Sequence, residues 1–395
     1  MRKSKRFFCL VLTILFVNTM VLTVAATQTE ASASNGIDVS AKSAILMEAH
    51  TGQILYEKNA DEMLRPASVT KIMTMLLIFE ALEQNKLSMD EPVMVSAHAA
   101  SMGGSQVFLE ENETQTVQDL LKCISIASAN DACVTMAERI CGTEEAFVQA
   151  MNAKAASLGM EHTNFVNCCG LEAEGHLISA KDIAIMSREL ITKYPQIYDY
   201  CTVWQDQIIH RTRKGESIFG LTNTNKFLKQ YPYATGLKTG YTSVSKYCIS
   251  ATAKKDDVEL IAVLMAEPDI PSRVKDVRAL MDYGFSSCKK YVDTAPLEKT
   301  SLPVTGGKTD RLDLSIPEQF SYLCMPGESP DQIRRGITLP ESVPAPIEQG
   351  ATVGKIVYSL GDTTIGEVPI LAERAVEKMD FKYCLGKLFH RLCIP

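Results

Sequence analysis

The chain is short of positive charge. Its 395 residues carry a formal charge of −7, and a chain without Arg2, Lys3, Lys5 and Arg6 would stand at −11. That balance disfavours nucleic-acid binding. Zinc-ligand spacing among cysteines and histidines is also missing, so no metal and no cofactor are expected. No internal repeat or low-complexity stretch is evident, and about 360 residues beyond the N-terminal segment suit two domains. The twelve cysteines lack a framework: Cys168 and Cys169 are adjacent, and removing Cys9 leaves an odd number. They read mostly as small buried hydrophobes.

The first 33 residues resemble a secretory signal. A basic stretch precedes the almost uncharged run from Phe7 to Ala26, and Ala31-Ser32-Ala33 is a plausible cleavage site. The run is long enough to span a bilayer, so an uncleaved anchor is the alternative. Export is expected either way.

Pro66-Ala67-Ser68-Val69-Thr70-Lys71 opens an apolar run in which Ile72, Met75, Leu76, Phe79 and Leu82 keep helical spacing. Pro66 is a start signal. Ser68 and Lys71 then lie one turn apart on one face, where desolvation of the lysine would make it a useful base for the hydroxyl. Ser-x-x-Lys alone is weak, since it also begins at Ser243, Ser272, Ser286 and Ser287. Ser128-Ala129-Asn130 and Lys238-Thr239-Gly240 follow in order, and each of those patterns occurs once. The ordered triple is the signature of serine β-lactamases and penicillin-binding proteins.

Around the motifs, Ala44–Glu48 and Gln53–Glu57 read as a hairpin of edge strands turning at Thr51-Gly52. Helices dominate from Ser68 to about Lys193, including the stretch from Ser125 to Ile140. Strands are expected at Lys246–Ala253 and Val258–Met265, and a helix from Ser272 to Tyr283. From about Thr294 proline and glycine become frequent among short β-type runs such as that starting at Gly354. In Met379–Pro395 a stripe of Phe381, Leu385, Leu388 and Leu392 lies among Lys378, Lys382, Lys387 and Arg391. A basic amphipathic helix of this kind can lie in a membrane interface; the alternative is packing back on the protein.

These residues, with Met102–Leu109, Ser128–Ala132 and Gly236–Thr242, make the chain resemble the low-molecular-mass penicillin-binding proteins of the D-alanyl-D-alanine carboxypeptidase type. The resemblance implies an α/β fold: a β-lactamase/transpeptidase-like domain, in which helices flank an antiparallel sheet and form a lobe, then a small β-rich domain. The expected divisions are a signal at 1–33, the peptidase domain at 34–290, the β-rich domain at 291–374 and the amphipathic helix at 375–395.

It also implies roles. Ser68 would be acylated with Lys71 as base, and Ser128 would relay a proton to the leaving D-alanine. Asn130 would hold the substrate amide, while Lys238 and Thr239 would bind its terminal carboxylate. Gly240 would let the peptide lie along the strand edge, and the N–H groups of Ser68 and Tyr241 would form an oxyanion hole. Arg213 is a candidate second cation, against the plainer reading of an exposed turn residue. The implied partners are peptidoglycan stem peptides ending in D-Ala-D-Ala, with β-lactams as covalent inhibitors. Two departures stand out. Cys168-Cys169-Gly170 occupies a place where the family often has histidine before the glycine, and His176 is read as packed beneath the helical lobe. The carboxypeptidase reading is preferred over a β-lactamase, whose Glu-x-x-Leu-Asn is missing between Ser128 and Lys238, and over a catalytically retired peptidoglycan-binding protein.

Overall fold

The computed structural model describes residues 37–213 and 215–393, with side chains described as far as Phe389. The signal-like segment at 1–33 lies outside the described residues.

Val258–Glu267 is apolar on both faces, the pattern of a strand covered on both sides, and it lies at the centre of a five-stranded antiparallel sheet. The strands are β1 (Ser43–Glu48), β2 (Ile54–Lys58), β5 (Ala234–Thr242), β6 (Lys246–Lys255) and β7 (Val258–Glu267), in the order β2-β1-β7-β6-β5. A separate hairpin, β3 (Gln205–Thr212) and β4 (Gly215–Thr222), precedes β5 in the chain. Of the predicted hairpin of edge strands, only β2 is an edge. All six residues of β1 are buried because the strand pairs with β7 on its other side. That pairing joins residues more than 200 positions apart, which local pattern cannot show.

Helices cover both faces of the sheet. Leu260 packs on α5 (Ile270–Ser287), where a Cβ on Gly284 would come within 2.6 Å of the Leu260 side chain. On the opposite face, Ser250 pairs with Val263, and its hydroxyl lies 2.8 Å from that of Ser187 on α4 (Ala180–Lys193). The lobe is built around α1 (Lys71–Glu83), ten of whose thirteen residues are buried. A helix apolar all round belongs inside a core, and α1 is such a helix.

The helical stretch expected across Ser125–Ile140 is broken. A wide π-type turn at Cys123–Ala127 ends at Ser128, which has φ 62°, and α2 (Asn130–Cys141) starts two residues later. Such turns inside helical segments tend to mark functional sites. Here it turns the Ser128 hydroxyl out of the helical register. The next helix is α3 (Glu144–Ser157).

Beyond residue 290 the chain is β-rich. Six strands between Ser301 and Ala372 form one sheet over a core that includes Leu302, Leu312, Ile356, Tyr358, Val368 and Ile370. Phe320 stacks on Tyr358 at 3.8 Å. Asp293 accepts the Tyr358 hydroxyl and the Arg335 guanidinium, tying the domain's entry to its core. The chain then enters α6 (Phe381–Cys393), which begins beside Lys308 through an ion pair to Asp380 and a hydrogen bond from Tyr383.

Candidate active site

The turn Ala67–Thr70 delivers Ser68 immediately ahead of α1, and Lys71 is the first residue of that helix. Lys71 is fully buried. Its Nζ lies 3.0 Å from Ser68 Oγ, 2.7 Å from Asn130 Oδ1 and 2.7 Å from the Cys169 carbonyl oxygen. A buried amine costs little only when its hydrogen bonds are met, and here three acceptors meet it.

Asn130 faces Lys71 from the start of α2. Its amide Nδ2 donates to the Gly103 carbonyl at 2.6 Å and its backbone N–H to that of Ser105 at 2.7 Å. Next to it the fully buried Asp131 accepts the backbone N–H groups of Val107 and Leu109, both at 3.1 Å. Burial pushes the Asp131 carboxyl up from the usual range, and these backbone donors pull against it. The Met102–Leu109 segment and the Ser-x-Asn turn are thus one hydrogen-bonded structure. Ser128 Oγ is buried and has no hydrogen-bond partner among the described residues.

Lys238, Thr239 and Gly240 lie on β5, the terminal strand of the sheet. Lys238 is buried, and burial holds its ammonium well below the usual lysine range, with Lys71 adding repulsion. Its Nζ donates to the Thr239 carbonyl at 3.1 Å. Thr239 Oγ1 lies 2.8 Å from Thr224 Oγ1. A Cβ on Gly240 would stand 2.8 Å from the Pro66 carbonyl and 3.0 Å from the Ser68 nitrogen. The glycine is thus required first by the close approach of the Ser68 turn to β5. Tyr241 is exposed and stacks on Tyr247 at 4.4 Å.

The structure brings Ser68, Lys71, Asn130 and the Lys238–Gly240 strand together. Arg213 is exposed in the turn of the β3–β4 hairpin. Three residues that the motifs did not single out also shape the site. Cys169 supplies a carbonyl to Lys71, Thr224 holds Thr239, and Gly170 has φ 83° and would put a Cβ 1.8 Å from the Ala67 carbonyl. The only sequence signal for this segment was the unusual Cys168-Cys169-Gly170 run.

His176 lies beneath the lobe. Its Nδ1 accepts the Val166 N–H at 3.1 Å, so Nε2 carries the proton and donates to Thr70 Oγ1 at 2.9 Å. Burial lowers its pKa to about 4. The ten cysteines with described side chains are all free, and eight of them are buried.

A serine and a buried lysine at hydrogen-bonding distance, beside the terminal strand of an antiparallel sheet, define an active-serine peptidase of the penicillin-binding type. The model of the family described as D-alanyl-D-alanine carboxypeptidase matches residues 26–269, and that of the penicillin-binding protein 5 C-terminal domain matches 291–378. The chain belongs to the D-alanyl-D-alanine carboxypeptidase family. It is 43% identical over 346 residues to D-alanyl-D-alanine carboxypeptidase DacF of Bacillus subtilis, covering 86% of this chain and 87% of that protein. To DacC of Escherichia coli it is 31% identical, covering 87% and 86%. Among solved structures, penicillin-binding protein 3 of Streptococcus pneumoniae aligns with a TM-score of 0.69 at 28% identity, covering 86% of this chain and all of that one. Penicillin-binding protein 5 of Haemophilus influenzae aligns at 0.66 and 26%, covering 90% of this chain and all of that one. The enzyme is therefore a serine-type D-Ala-D-Ala carboxypeptidase, with the transpeptidase-like fold and β-rich C-terminal domain that its sequence implied.

The neutral imidazole has a consequence for acid stability. In the unfolded chain His176 takes up a proton near pH 6.5, whereas in the folded protein it resists until about pH 4. Its contribution is full above the unfolded value and is lost as pH falls through that window. At ~1.4 kcal/mol per pH unit this amounts to about 3 kcal/mol. Urea unfolding at the two ends of the window should show His176→Gln losing less stability on acidification than the wild type.

Proposed function

We propose that this carboxypeptidase removes the terminal D-alanine from peptidoglycan pentapeptide stems through an acyl-enzyme on Ser68. The observation that carries the assignment is the placement of Lys71 Nζ 3.0 Å from Ser68 Oγ with its other partners fixed. As the base, Lys71 would keep two N–H groups on Asn130 and the Cys169 carbonyl while it receives the Ser68 proton. The serine oxygen then attacks the carbonyl of the penultimate D-alanine. The backbone N–H groups of Ser68 and Tyr241 hold the developing oxyanion. Ser128, whose hydroxyl has no other partner among the described residues, would relay to the leaving D-alanine the proton that Lys71 took from Ser68. Water then releases the shortened stem. Penicillins acylate Ser68 by the same attack on their lactam carbonyl.

Asn130 acts mainly on Lys71. With Oδ1 on the amine and one amide proton on Gly103, it has one N–H left for the substrate amide. Lys238 and Thr239 receive the terminal carboxylate. Because burial disfavours the charged form of Lys238, an incoming carboxylate offsets that cost and favours the protonated amine.

Location is part of the same reading. The segment at 1–33 directs export, and α6 holds the enzyme to the outer face of the cytoplasmic membrane. Phe381, Leu385, Leu388 and Phe389 are all exposed on α6 and do not pack back on the protein. The Leu392 side chain lies outside those described. No helix among the described residues is long and apolar enough to cross a membrane, so the attachment is interfacial.

Three outcomes test this. Ser68→Ala should abolish both D-alanine release from a pentapeptide and covalent penicillin labelling; an adduct mapped by mass spectrometry to Ser243 or Ser272 would overturn the assignment. For Lys238, KM for the peptide should rise with pH at lower values than an exposed lysine would give, because burial favours loss of the charge that meets the carboxylate. Lys238→Gln should flatten that profile and raise KM by roughly ten- to a hundredfold, the worth of one charge-assisted contact. Deleting residues 380–395 should free the signal-processed enzyme from membranes and leave soluble-peptide turnover largely intact; continued sedimentation with vesicles would exclude α6 as the anchor.

A further inference from the structure

Directly behind Lys71 lies a group of metal-ligating side chains that the peptidase reaction does not use. The sulfurs of Cys168 and Cys169 are 3.5 Å apart, and the Cys168 N–H donates to Glu144 Oε1 at 3.0 Å. One donor atom from each of Glu144, Cys168 and Cys169 falls within 4.8 Å of the other two. Both thiols are fully buried, and that of Cys169 also donates to the Asn130 carbonyl at 3.5 Å. Glu144 links the group to the surface: its side chain is 13% exposed, and its other oxygen lies 3.7 Å from Nε2 of the half-exposed His98.

We propose that Glu144, Cys168 and Cys169 form a binding site for a thiophilic divalent cation such as Zn²⁺ or Cd²⁺, and that its occupation slows acylation at Ser68. Metal–sulfur bonds near 2.3 Å in a tetrahedral arrangement set sulfurs somewhat under ~4 Å apart, close to the spacing already present. Borderline-soft ions favour thiolates, with a carboxylate oxygen completing a mixed set. Each thiol gives up its proton to solvent as its metal–sulfur bond forms, and Glu144 contributes one oxygen without change of charge.

Linear spacing hides the site. The two cysteines are adjacent, and Glu144 is 24 positions upstream at the start of α3.

The link to acylation is the peptide group of Cys169. Its side chain would bind the ion, while its carbonyl holds Lys71 Nζ at 2.7 Å. Cys168 is equally tied, its carbonyl accepting Thr74 Oγ1 of α1 at 2.6 Å. Closing the carboxylate oxygen and the two sulfurs, now within 4.8 Å of one another, onto one ion pulls on the segment that sets the position of the lysine. A displacement of about 1 Å in such a group can cost on the order of a hundredfold in rate. This second claim rests on Lys71 acting at Ser68. Labelling of the metal-free enzyme by fluorescent penicillin tests that premise separately.

The test uses the signal-processed chain, reduced under argon, stripped of metal and titrated with Cd²⁺. One equivalent should produce the ultraviolet thiolate-to-cadmium charge-transfer band. The band should be lost in Cys168→Ala and in Cys169→Ala and kept in Cys324→Ser, whose thiol lies in the β-rich domain. Glu144→Gln, at a position that reaches the surface and tolerates exchange, should bind Cd²⁺ at least ~tenfold more weakly. It decides the matter if the buried alanine variants do not fold. No band at one equivalent, or unchanged affinity in Glu144→Gln, would overturn the site. In the loaded wild type, penicillin labelling should be at least several-fold slower and recover with a chelator. Equal labelling rates with and without bound Cd²⁺ would overturn the coupling.

Discussion

Everything in this active site follows from placing an amine in the protein interior one turn from a serine. Lys71 is shut off from bulk solvent, so its position is dictated by Ser68, Asn130 and the Cys169 carbonyl. Each of those groups is in turn fixed from elsewhere. Asn130 is held through Gly103 and Ser105, and the adjacent Asp131 grips Val107 and Leu109. Cys169 leads into Gly170, pressed so closely on the Ala67 carbonyl that no side chain fits between them. The rigidity of the site is therefore borrowed from two segments, Met102–Leu109 and Cys168–Gly170, neither of which carries the nucleophile.

The second buried lysine answers to a different physical demand. Lys71 has three acceptors, whereas among the described residues Lys238 donates only to its neighbouring carbonyl, and burial disfavours its charge. A group in that state gains from an anion. In the mechanism proposed above, two lysines in one cleft hence serve different purposes, one at the Ser68 hydroxyl and the other at a carboxylate, because their surroundings differ.

How much of this could be read from the chain depends on the range of the interactions. The Ser68–Lys71 pair, the helix that follows it and the strands at Lys246 and Val258 are local patterns, and they stand where the sequence put them. The ordered motifs identified the parts of the cleft because each is a short rigid unit. The interior position of β1 was not legible, since it depends on a partner strand 200 residues away. Nor was the break at Ser128, where the apolar pattern continues through a turn that the backbone does not keep helical. The role of the Cys169 carbonyl was not legible, because a main-chain oxygen has no residue type, and only the unusual Cys168-Cys169-Gly170 run marked its segment.

The terminal position of β5 has an implication beyond catalysis. A sheet edge is a template for any extended chain, and proteins usually block such edges with charge, bulges or covering loops. This enzyme has to leave its edge available, since a stem peptide is to lie along it. The Ser68 turn sits so close against Gly240 that a Cβ there would meet the Pro66 carbonyl, and the exposed Tyr241 follows on the same strand. The crowding that makes Gly240 indispensable thus covers part of an edge that would otherwise stand open to any strand.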